Sequence, residues 1–336
     1  MGGAISIILG AASPGHAALA GWAVGANGTI VNTSDGGSTW VTESSGVSAN
    51  LNGVQFVSSV SGVAVGNGGV SVHTTDGGLT WATTSTGTSL NLNAVTFFDP
   101  LRGVAVGADG VRIRTTDGGF TWISAGSSTT ATLYDIEATG ASSAIAVGAG
   151  GITVRTTDFG ATWSAPVDAL PASTNNLFDA EPVAGSSTLL AVGAGGTVTR
   201  TTDGGVTWST IFVNPAFGDL FDGQSLLSNQ FLVTGATGQV SRSTDGGVTF
   251  SAPATVVPGA LFDLEFIGGL GLAIGASGTT VRTTDGGATW GAPIGASSFD
   301  LYAVAVATGQ TVPEPNTLLL IALGIIGIAA SRRPSS

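Results

Sequence analysis

The chain has 336 residues, a net charge of −12, 54 glycines, no cysteine, and nine basic residues, all of them arginine. Without a basic stripe to neutralise phosphates, a nucleic-acid-binding surface is excluded, and the lack of cysteine excludes disulfides, thiolate nucleophiles and Cys-ligated zinc. Because 43% of the residues are hydrophobic and 9% are charged, the composition favours a folded chain of short strands and tight turns.

The chain opens with a short apolar stretch, AISIILGAASPGHAALA, which ends at Ala20. An apolar run followed by Ala-Leu-Ala is typical of a secretory signal cut before Gly21. We therefore predict that residues 1–20 are a signal peptide or its remnant. The alternative is an extra strand packed on the first repeat, because the basic residues that usually begin such a signal are missing.

A turn of the form [ST]-D-x-G-x-T-[WF] then recurs seven times, at spacings of 40 to 45 residues. Its aspartates are Asp35, Asp76, Asp117, Asp158, Asp203, Asp245 and Asp285. Its aromatic residues are Trp40, Trp81, Trp122, Trp163, Trp208, Phe250 and Trp290. A repeat of this length indicates one supersecondary unit per period, stacked against its neighbours.

Each repeat contains four strand patterns. One is an apolar run closed by glycine, such as GVAVG at 62–66; the second enters the Asp turn, the third follows the aromatic residue, and the fourth begins with leucine. Four short strands in this length are typical of a β-propeller blade. The final leucine-led strand, 301–307, has no turn after it. We predict that it pairs beside Trp22–Gly25 and closes an all-β, seven-bladed propeller over residues 21–307.

The turn resembles the Asp-box, or BNR repeat, of sialidases and other propellers. The fuller pattern GVAVG…G…RTTDGG.TW resembles the photosystem II stability/assembly factor family of seven-bladed propellers. In such a turn the carboxylate accepts backbone N–H bonds, glycine permits positive φ, and the aromatic ring covers the turn. We therefore expect the seven aspartates and seven aromatic residues to be structural, since one acid per turn is too few for calcium.

A second regularity concerns charged residues. Five arginines precede a box aspartate by three positions: Arg114, Arg155, Arg200, Arg242 and Arg282. Four aspartates follow a strand-leading leucine by two positions: Asp135, Asp179, Asp222 and Asp263. We predict a ring of arginine–carboxylate bridges, with each arginine crossing a small middle-strand residue such as Ala146. The alternative is that these aspartates face the central channel and bind a cation or a basic peptide.

No catalytic constellation stands out. Sialidases combine Asp-boxes with an arginine triad, a Tyr–Glu pair and an acid, whereas these arginines follow the repeat. His16 and His73 do not form a metal-ligating pair, and no phosphate-binding motif lies in a strand–helix setting. We predict no enzymatic activity, no cofactor and no metal; a sialidase-like glycan hydrolase is the alternative.

The C-terminus changes character. A linker, 308–316, contains Pro313, Glu314 and Pro315, and the hydrophobic stretch 317–330 is followed by Arg332 and Arg333. This order resembles the PEP-CTERM sorting signal, which implies export and recognition by an exosortase-type processing enzyme. We predict that 317–336 form a sorting or anchor helix with a basic tail, shorter than a full span of about 20 residues. A plain C-terminal membrane anchor is the alternative.

Together these patterns predict an exported, non-catalytic propeller at the cell envelope or in the extracellular matrix. Its partner would be a protein or a glycan. The resemblance also leaves open a third function, as an assembly factor for a membrane protein complex. Because one propeller fold serves many functions, the sequence does not select the ligand.

Overall fold

The computed structural model describes residues 19–170, 174–183, 186–213, 217–226 and 229–308, which form an all-β propeller of seven four-stranded sheets. The signal peptide predicted for residues 1–20 lies outside the described residues except at Leu19 and Ala20, which belong to the first strand. The Pro-Glu-Pro box, the hydrophobic stretch and the basic tail lie outside them entirely. Within the described ranges, no helical segment is long and apolar enough to span a bilayer.

The blades are numbered along the chain and their strands are given from the innermost outwards. Blade 1 contains β28 (Leu301–Thr308), β1 (Leu19–Gly25), β2 (Thr29–Thr33) and β3 (Val41–Ser44); blade 2 contains β4 (Leu51–Phe56), β5 (Gly62–Gly66), β6 (Ser71–Thr74) and β7 (Ala82–Thr84); blade 3 contains β8 (Leu92–Phe97), β9 (Gly103–Gly107), β10 (Arg112–Thr115) and β11 (Ile123–Ser124). Blade 4 contains β12 (Leu133–Ala138), β13 (Ala144–Gly148), β14 (Ile152–Thr156) and β15 (Val167–Asp168); blade 5 contains β16 (Leu177–Pro182), β17 (Leu189–Gly193), β18 (Thr197–Thr201) and β19 (Ser209–Val213). Blade 6 contains β20 (Leu220–Leu226), β21 (Gln230–Gly235), β22 (Gln239–Ser243) and β23 (Ala254–Thr255); blade 7 contains β24 (Leu261–Ile267), β25 (Leu270–Gly275), β26 (Thr279–Thr283) and β27 (Ile294–Gly295).

Short 3₁₀ turns join the second and third strands of six blades. They are Ala26–Gly28, Asn67–Gly69, Ala108–Gly110, Ala149–Gly151, Ala194–Gly196 and Ala276–Gly278. Each contains a residue with positive φ in its middle, for example Gly68 at 69°. Asn27 and Asp109 occupy the same position at 56° and 52°, a conformation that Asn and Asp tolerate better than most residues.

Ring closure is confirmed. β28 pairs antiparallel with β1, and Trp22 lies opposite Ala305 in this register. The last described strand thereby becomes the innermost strand of the first blade, which removes the open edges that a linear array would leave.

The core lies between the blades. Seven apolar clusters occupy the seven blade-to-blade interfaces; the one between blades 1 and 2 stacks Trp22 on Phe56 with ring centroids 3.6 Å apart. The aromatic residue of the Asp turn packs against such a cluster, as Trp122 does against Phe97. Each buried aromatic side chain removes a large apolar area from water, so the ring is held together by contacts between neighbouring blades.

All seven inner strands share a bulge directly after their leading leucine. The register shifts there, for example between Leu133 and Asp135, so that the residue between them is unpaired with the middle strand. The glycine that closes each middle strand makes this possible: a Cβ on Gly148 would lie 2.1 Å from the carbonyl oxygen of Thr132, and one on Gly66 would lie 2.0 Å from that of Asn50. The glycine of the AVG pattern is therefore required because the backbones approach so closely.

The strand alternation gives the disc two different faces. On one face, which we call the mouth face, the inner strands begin and the 3₁₀ turns lie. The Asp turns connect the third and fourth strands, so they lie on the opposite face, which we call the box face. Because a bulge re-aims the side chain of its extra residue, the seven bulge residues are presented at the mouth face.

Candidate functional site

The seven bulge residues surround the entrance of the central channel. Going round the ring from blade 2 to blade 1, they are Asn52, Asn93, Tyr134, Phe178, Phe221, Phe262 and Tyr302. The five aromatic rings are half-buried and follow one another in contact, with centroid separations of 5.4, 5.7, 5.5 and 5.8 Å. We call these five residues the aromatic arc.

Opposite the aromatic arc lie five asparagines, which we call the amide arc: Asn50, Asn52, Asn67, Asn91 and Asn93. The two arcs together enclose a cavity of about 430 Å³, which we call the basin. A volume of this size is within the range of small-ligand sites, which combine apolar walls with a few polar groups.

The asparagines are positioned by hydrogen bonds that engage only part of each side-chain amide. Asn50 Oδ1 accepts the N–H of Asn27 at 3.0 Å, and Asn91 Oδ1 accepts that of Gly68 at 2.8 Å. Asn93 Nδ2 donates to the carbonyl oxygen of Leu133 at 2.7 Å. Within the described part of the chain, these bonds leave Nδ2 of Asn50 and Asn91 and Oδ1 of Asn93 for a ligand.

Beneath the basin, carboxyl groups fill the channel wall. Asp135, Asp179, Asp222 and Asp263 are between 0% and 6% exposed. Their Oδ2 atoms accept backbone N–H bonds from the next inner strand: from Ala180 at 3.2 Å, Gly223 at 3.0 Å, Leu264 at 2.9 Å and Val304 at 2.7 Å, respectively. The channel edge of an inner strand has no strand partner, so these carboxyls satisfy donors that would otherwise be orphaned.

Burial and mutual repulsion perturb these acids. Burial raises the pKa of Asp135 to about 7 and that of Asp222 to about 6. Burial, followed by the neighbouring carboxyl Asp222, raises the pKa of Asp179 and of Asp263 well above the ordinary range. Burial also raises the pKa of three glutamates further along these strands, Glu137, Glu181 and Glu265. For Glu137 and Glu265, neighbouring acids are the next largest cause.

The predicted arginine–carboxylate ring is contradicted. Among the described residues the ion pair within 4 Å joins Arg102 to Asp99, with 2.6 Å between Nε and Oδ2. No such pair joins a box-preceding arginine to a channel aspartate within the described ranges. The aspartates take backbone N–H groups as partners instead.

The register explains why the bridges do not form. Arg155 lies opposite Ile145, and Ile145 lies opposite Glu137, so a large aliphatic side chain separates the arginine from the inner strand. Leucines occupy the same place in blades 5, 6 and 7: Leu190, Leu232 and Leu272. The prediction assumed a small alanine at this position. With two strand spacings of about 4.8 Å to cross as well, the guanidinium does not reach the acid.

Three of these arginines bond groups in the adjacent blade or in their own blade. Arg155 Nη1 donates to the carbonyl oxygen of Gly204 at 3.3 Å, and Arg282 Nη1 donates to Ser38 Oγ at 3.1 Å; both acceptors lie in the next blade's Asp turn. Arg242 bonds Gln230 in its own blade. His73, which replaces the arginine in blade 2, packs its ring 4.4 Å from that of Phe120 in the next turn.

Each Asp turn is a closed hydrogen-bonded unit. In blade 6, Asp245 Oδ1 accepts the N–H of Thr249 at 2.9 Å and Oδ2 accepts its hydroxyl at 2.6 Å. Ser243 Oγ donates to Asp245 and accepts the N–H of Gly247 at 2.8 Å. The hydroxyl and N–H of Thr249 lower the pKa of Asp245 to about 2. Both carboxylate oxygens accept hydrogen bonds within the turn, which favours a structural role for the aspartate.

The alternative of a cation in the channel has little support. The described residues contain no group of three or more His, Asp or Glu side chains arranged to hold a metal ion. Each channel aspartate instead accepts a backbone N–H bond through Oδ2.

The sequence reasoning missed the aromatic arc. Strict alternation along the inner strands would turn Tyr134 and Phe262 away from the face that carries Asp135 and Asp263. The bulge breaks that alternation and turns these side chains to the channel mouth. The signal was present in the repeat alignment: the position after the leading leucine holds Asn, Asn, Tyr, Phe, Phe, Phe and Tyr in succession.

Comparison with known families gives two matches. The family described as photosynthesis system II assembly factor YCF48 matches residues 14–91 and 79–211. The PEP-CTERM protein-sorting motif matches residues 311–333, which indicates an exported protein. Among curated proteins, none matches the chain.

Solved structures share the fold. YCF48 from Cyanidioschyzon merolae is similar with a TM-score of 0.63 and 19% identity, covering 81% of this chain and 97% of that one. A structure described as YCF48 bound to D1 peptide has a TM-score of 0.59 and 21% identity, covering 72% and 80%. The GH74 xyloglucanase from Xanthomonas campestris has a TM-score of 0.63 and 15% identity, covering 86% of this chain and 52% of that one. At these identities the likeness concerns the fold alone.

Proposed function

The chain belongs to the YCF48 family of photosystem II assembly factors, and on that premise we propose that it is an exported, non-catalytic scaffold that binds a partner in the basin. The observation that carries the proposal is the continuous aromatic arc of five half-buried rings facing five asparagines. Solvent-accessible aromatic side chains gathered in one concave site favour ligand binding, because such an apolar surface is otherwise costly in water.

The basin chemistry favours binding over catalysis. Most glycosidases place two carboxyl groups on either side of the scissile bond. None of the described residues that line the basin carries a carboxyl group. The carboxyl groups nearest to it in sequence, such as Asp135 beside Tyr134, are buried and bonded to backbone N–H groups. A sialidase-like activity would also need arginines at the substrate, and the arginines described above that precede the Asp turns lie on the box face.

Family membership supports a scaffold function. A YCF48 structure was solved with a D1 peptide bound, so a propeller of this family binds a segment of another protein. For this chain the partner is a protein or a glycan at the cell envelope or in the extracellular matrix. An assembly-factor function for a membrane complex is consistent with the same scaffold.

The position of the sorting motif suggests how the basin is displayed. β28 runs from the mouth face to the box face and ends at Thr308, opposite Leu19 of β1. The motif matched at 311–333 follows directly, so a tether or processing site leaves from the box face. We infer that a membrane-attached form, before or without exosortase-type processing, presents the basin away from the membrane.

Retention on native envelope material tests the proposal. Purified protein would be incubated with washed envelope and extracellular material, comparing wild type with Phe221→Ala in the aromatic arc. Phe120→Ala is the matched control, because this phenylalanine is 52% exposed and lies in an Asp turn on the box face. We expect Phe221→Ala to lose retention and Phe120→Ala to keep it, with no release of reducing sugar. Equal retention by both variants, or sugar release by the wild type, would contradict the proposal.

A further inference from the structure

The basin also carries information about the class of its ligand. Resting on the proposed function, we propose that the basin binds the terminal unit of a neutral glycan, meaning a sugar without acidic or basic groups.

The lining disfavours anionic ligands. The aromatic arc and the amide arc contain no carboxylate, arginine or histidine. An anionic group placed in such a cavity would lose its hydration without gaining an ion-pair partner, which is strongly unfavourable. Sialic or uronic acids and phosphates are therefore disfavoured. The net charge of −12 further opposes acidic polymers.

The shape favours a ligand that enters by its end. Seven inner strands surround the basin, and below it the side chains of Asp135 and Asp263 are 1% and 0% exposed. A peptide entering by its C-terminus would bring a carboxylate, which the lining does not match. The non-reducing end of a glycan is both terminal and neutral.

The two arcs match the two surfaces of a sugar. A hexose ring has apolar C–H faces that pack on aromatic rings and hydroxyl groups that need donors and acceptors. The aromatic arc provides the first, and the unused amide atoms of Asn50, Asn91 and Asn93 provide the second. The Tyr302 hydroxyl is a further donor at neutral pH; burial and the nearby Asp300 raise its pKa further.

Calorimetric titration with defined oligosaccharides tests this assignment. The probes are neutral gluco-, galacto- and manno-oligosaccharides at millimolar concentration, with sialyl and galacturonic oligosaccharides as charged comparators. We expect wild type to bind at least one neutral probe and no charged one. Phe221→Ala should weaken that affinity at least about tenfold, and Phe120→Ala should leave it unchanged.

A milder variant keeps the test valid where Phe221→Ala fails to fold. Tyr302→Phe retains the ring and removes a single hydroxyl, so it should weaken binding about threefold or more without changing the thermal transition. Failure of every neutral probe to bind, or binding that both aromatic-arc variants leave intact, overturns the assignment.

The outcome is separable from that of the proposed function. In separate arms, the envelope material would be treated with periodate, which destroys sugars, or with protease before the wild-type protein is added. Loss on periodate supports the glycan. Retention that depends on Phe221 but is abolished only by protease overturns the glycan assignment while the scaffold proposal stands, with a protein loop as the occupant.

Discussion

At the bulge and the residue after it, blades 4–7 and blades 2–3 connect their inner strands by opposite chemistry; further along the strand, Gln55 of blade 2 also accepts an N–H, from Phe97. In blades 4–7 an aspartate accepts an N–H from the next strand, as Asp179 does from Gly223 at 3.0 Å. In blades 2 and 3 an asparagine donates to a carbonyl oxygen of the next strand: Asn52 to Leu92 at 2.8 Å and Asn93 to Leu133 at 2.7 Å. The aspartate in the first group is replaced in the second by a small residue, and a Cβ on Gly53 would lie 3.0 Å from Ala94 Cα.

The difference teaches how a repeat protein builds an asymmetric site. The Asp turn, the closing glycine and the bulge are common to both groups, so the backbone places every bulge residue at the mouth. Where an aspartate accepts the N–H of the next inner strand, the bulge residue makes no such bond and can be aromatic. Where the bulge residue itself makes the connection, it remains an asparagine. In blades 2–7 the two arcs are thus two solutions to one edge-strand requirement. Blade 1 follows neither, because its bulge residue, Tyr302, is aromatic although Ala303 stands at the aspartate position.

We expect the largest effect from replacing the closing glycine of the middle strand, which both groups of blades share. Gly66→Ala in blade 2 and Gly148→Ala in blade 4 each place a methyl about 2 Å from a backbone carbonyl oxygen. Because neither backbone can move without breaking the bulge, we expect each variant to lose at least about 3 kcal/mol of stability or to fail to fold.

Urea unfolding measures this loss. Gly150→Ala is the control, because its Cβ would meet nothing within 4 Å and its φ of 66° costs only about 1 kcal/mol in alanine. If Gly66→Ala or Gly148→Ala stayed within about 0.5 kcal/mol of wild type, the bulge would not depend on close backbone approach.

The second prediction concerns the carboxyl connection alone. Asp179→Ala leaves the buried N–H of Gly223 without an acceptor, which should cost about 2 kcal/mol. Asp179→Asn keeps an oxygen at the same place and should be close to neutral at low pH. Urea unfolding of the two variants at pH 4 compares them, and an equal loss in both would show that the bond to Gly223 is not what matters.

The fold was accessible from the sequence because its determinants are local and repeated. The turn motif, the closing glycine and the orphan strand 301–307 together specified seven blades and ring closure. The site was not accessible, because it depends on a bulge of one residue in the inner strand. That shift moved Tyr134 to the channel mouth and placed Ile145, rather than an alanine, between Arg155 and Glu137. Register at this precision is set by tertiary packing, which strict two-residue alternation cannot anticipate.

The third prediction concerns how the stability of the folded protein depends on pH. Burial raises the folded pKa of Asp222 to about 6, above the ordinary value of 3.8. The folded state therefore binds more protons than the unfolded state between these values, and stability falls as pH rises from about 4 to 6. Asp135, Asp179 and Asp263 act in the same direction, so wild type should be most stable in mild acid.

Asp222→Asn isolates one contribution to this trend. The amide oxygen can still accept the N–H of Leu264, but the group no longer titrates. We expect the variant to recover about 2 kcal/mol of the stability that wild type loses between pH 4 and pH 6. Urea unfolding at a series of pH values measures this. A wild-type stability that rises over the same window would mean that the channel acids are ionised and stabilised in the folded protein.

The smallest expected effect comes from the amide connection. Asn93→Ala removes the donor to the Leu133 carbonyl oxygen and should cost about 1 kcal/mol, since a carbonyl tolerates the loss of one partner better than a buried N–H does. Because no titrating group is involved, the loss should be the same at pH 4 and pH 7. The same unfolding series checks this, with Asp222→Asn as the contrasting variant. A pH-dependent loss of stability in Asn93→Ala would show that the two arcs are electrostatically coupled across the channel. The asparagine and aspartate connections would then differ in residue type without acting independently.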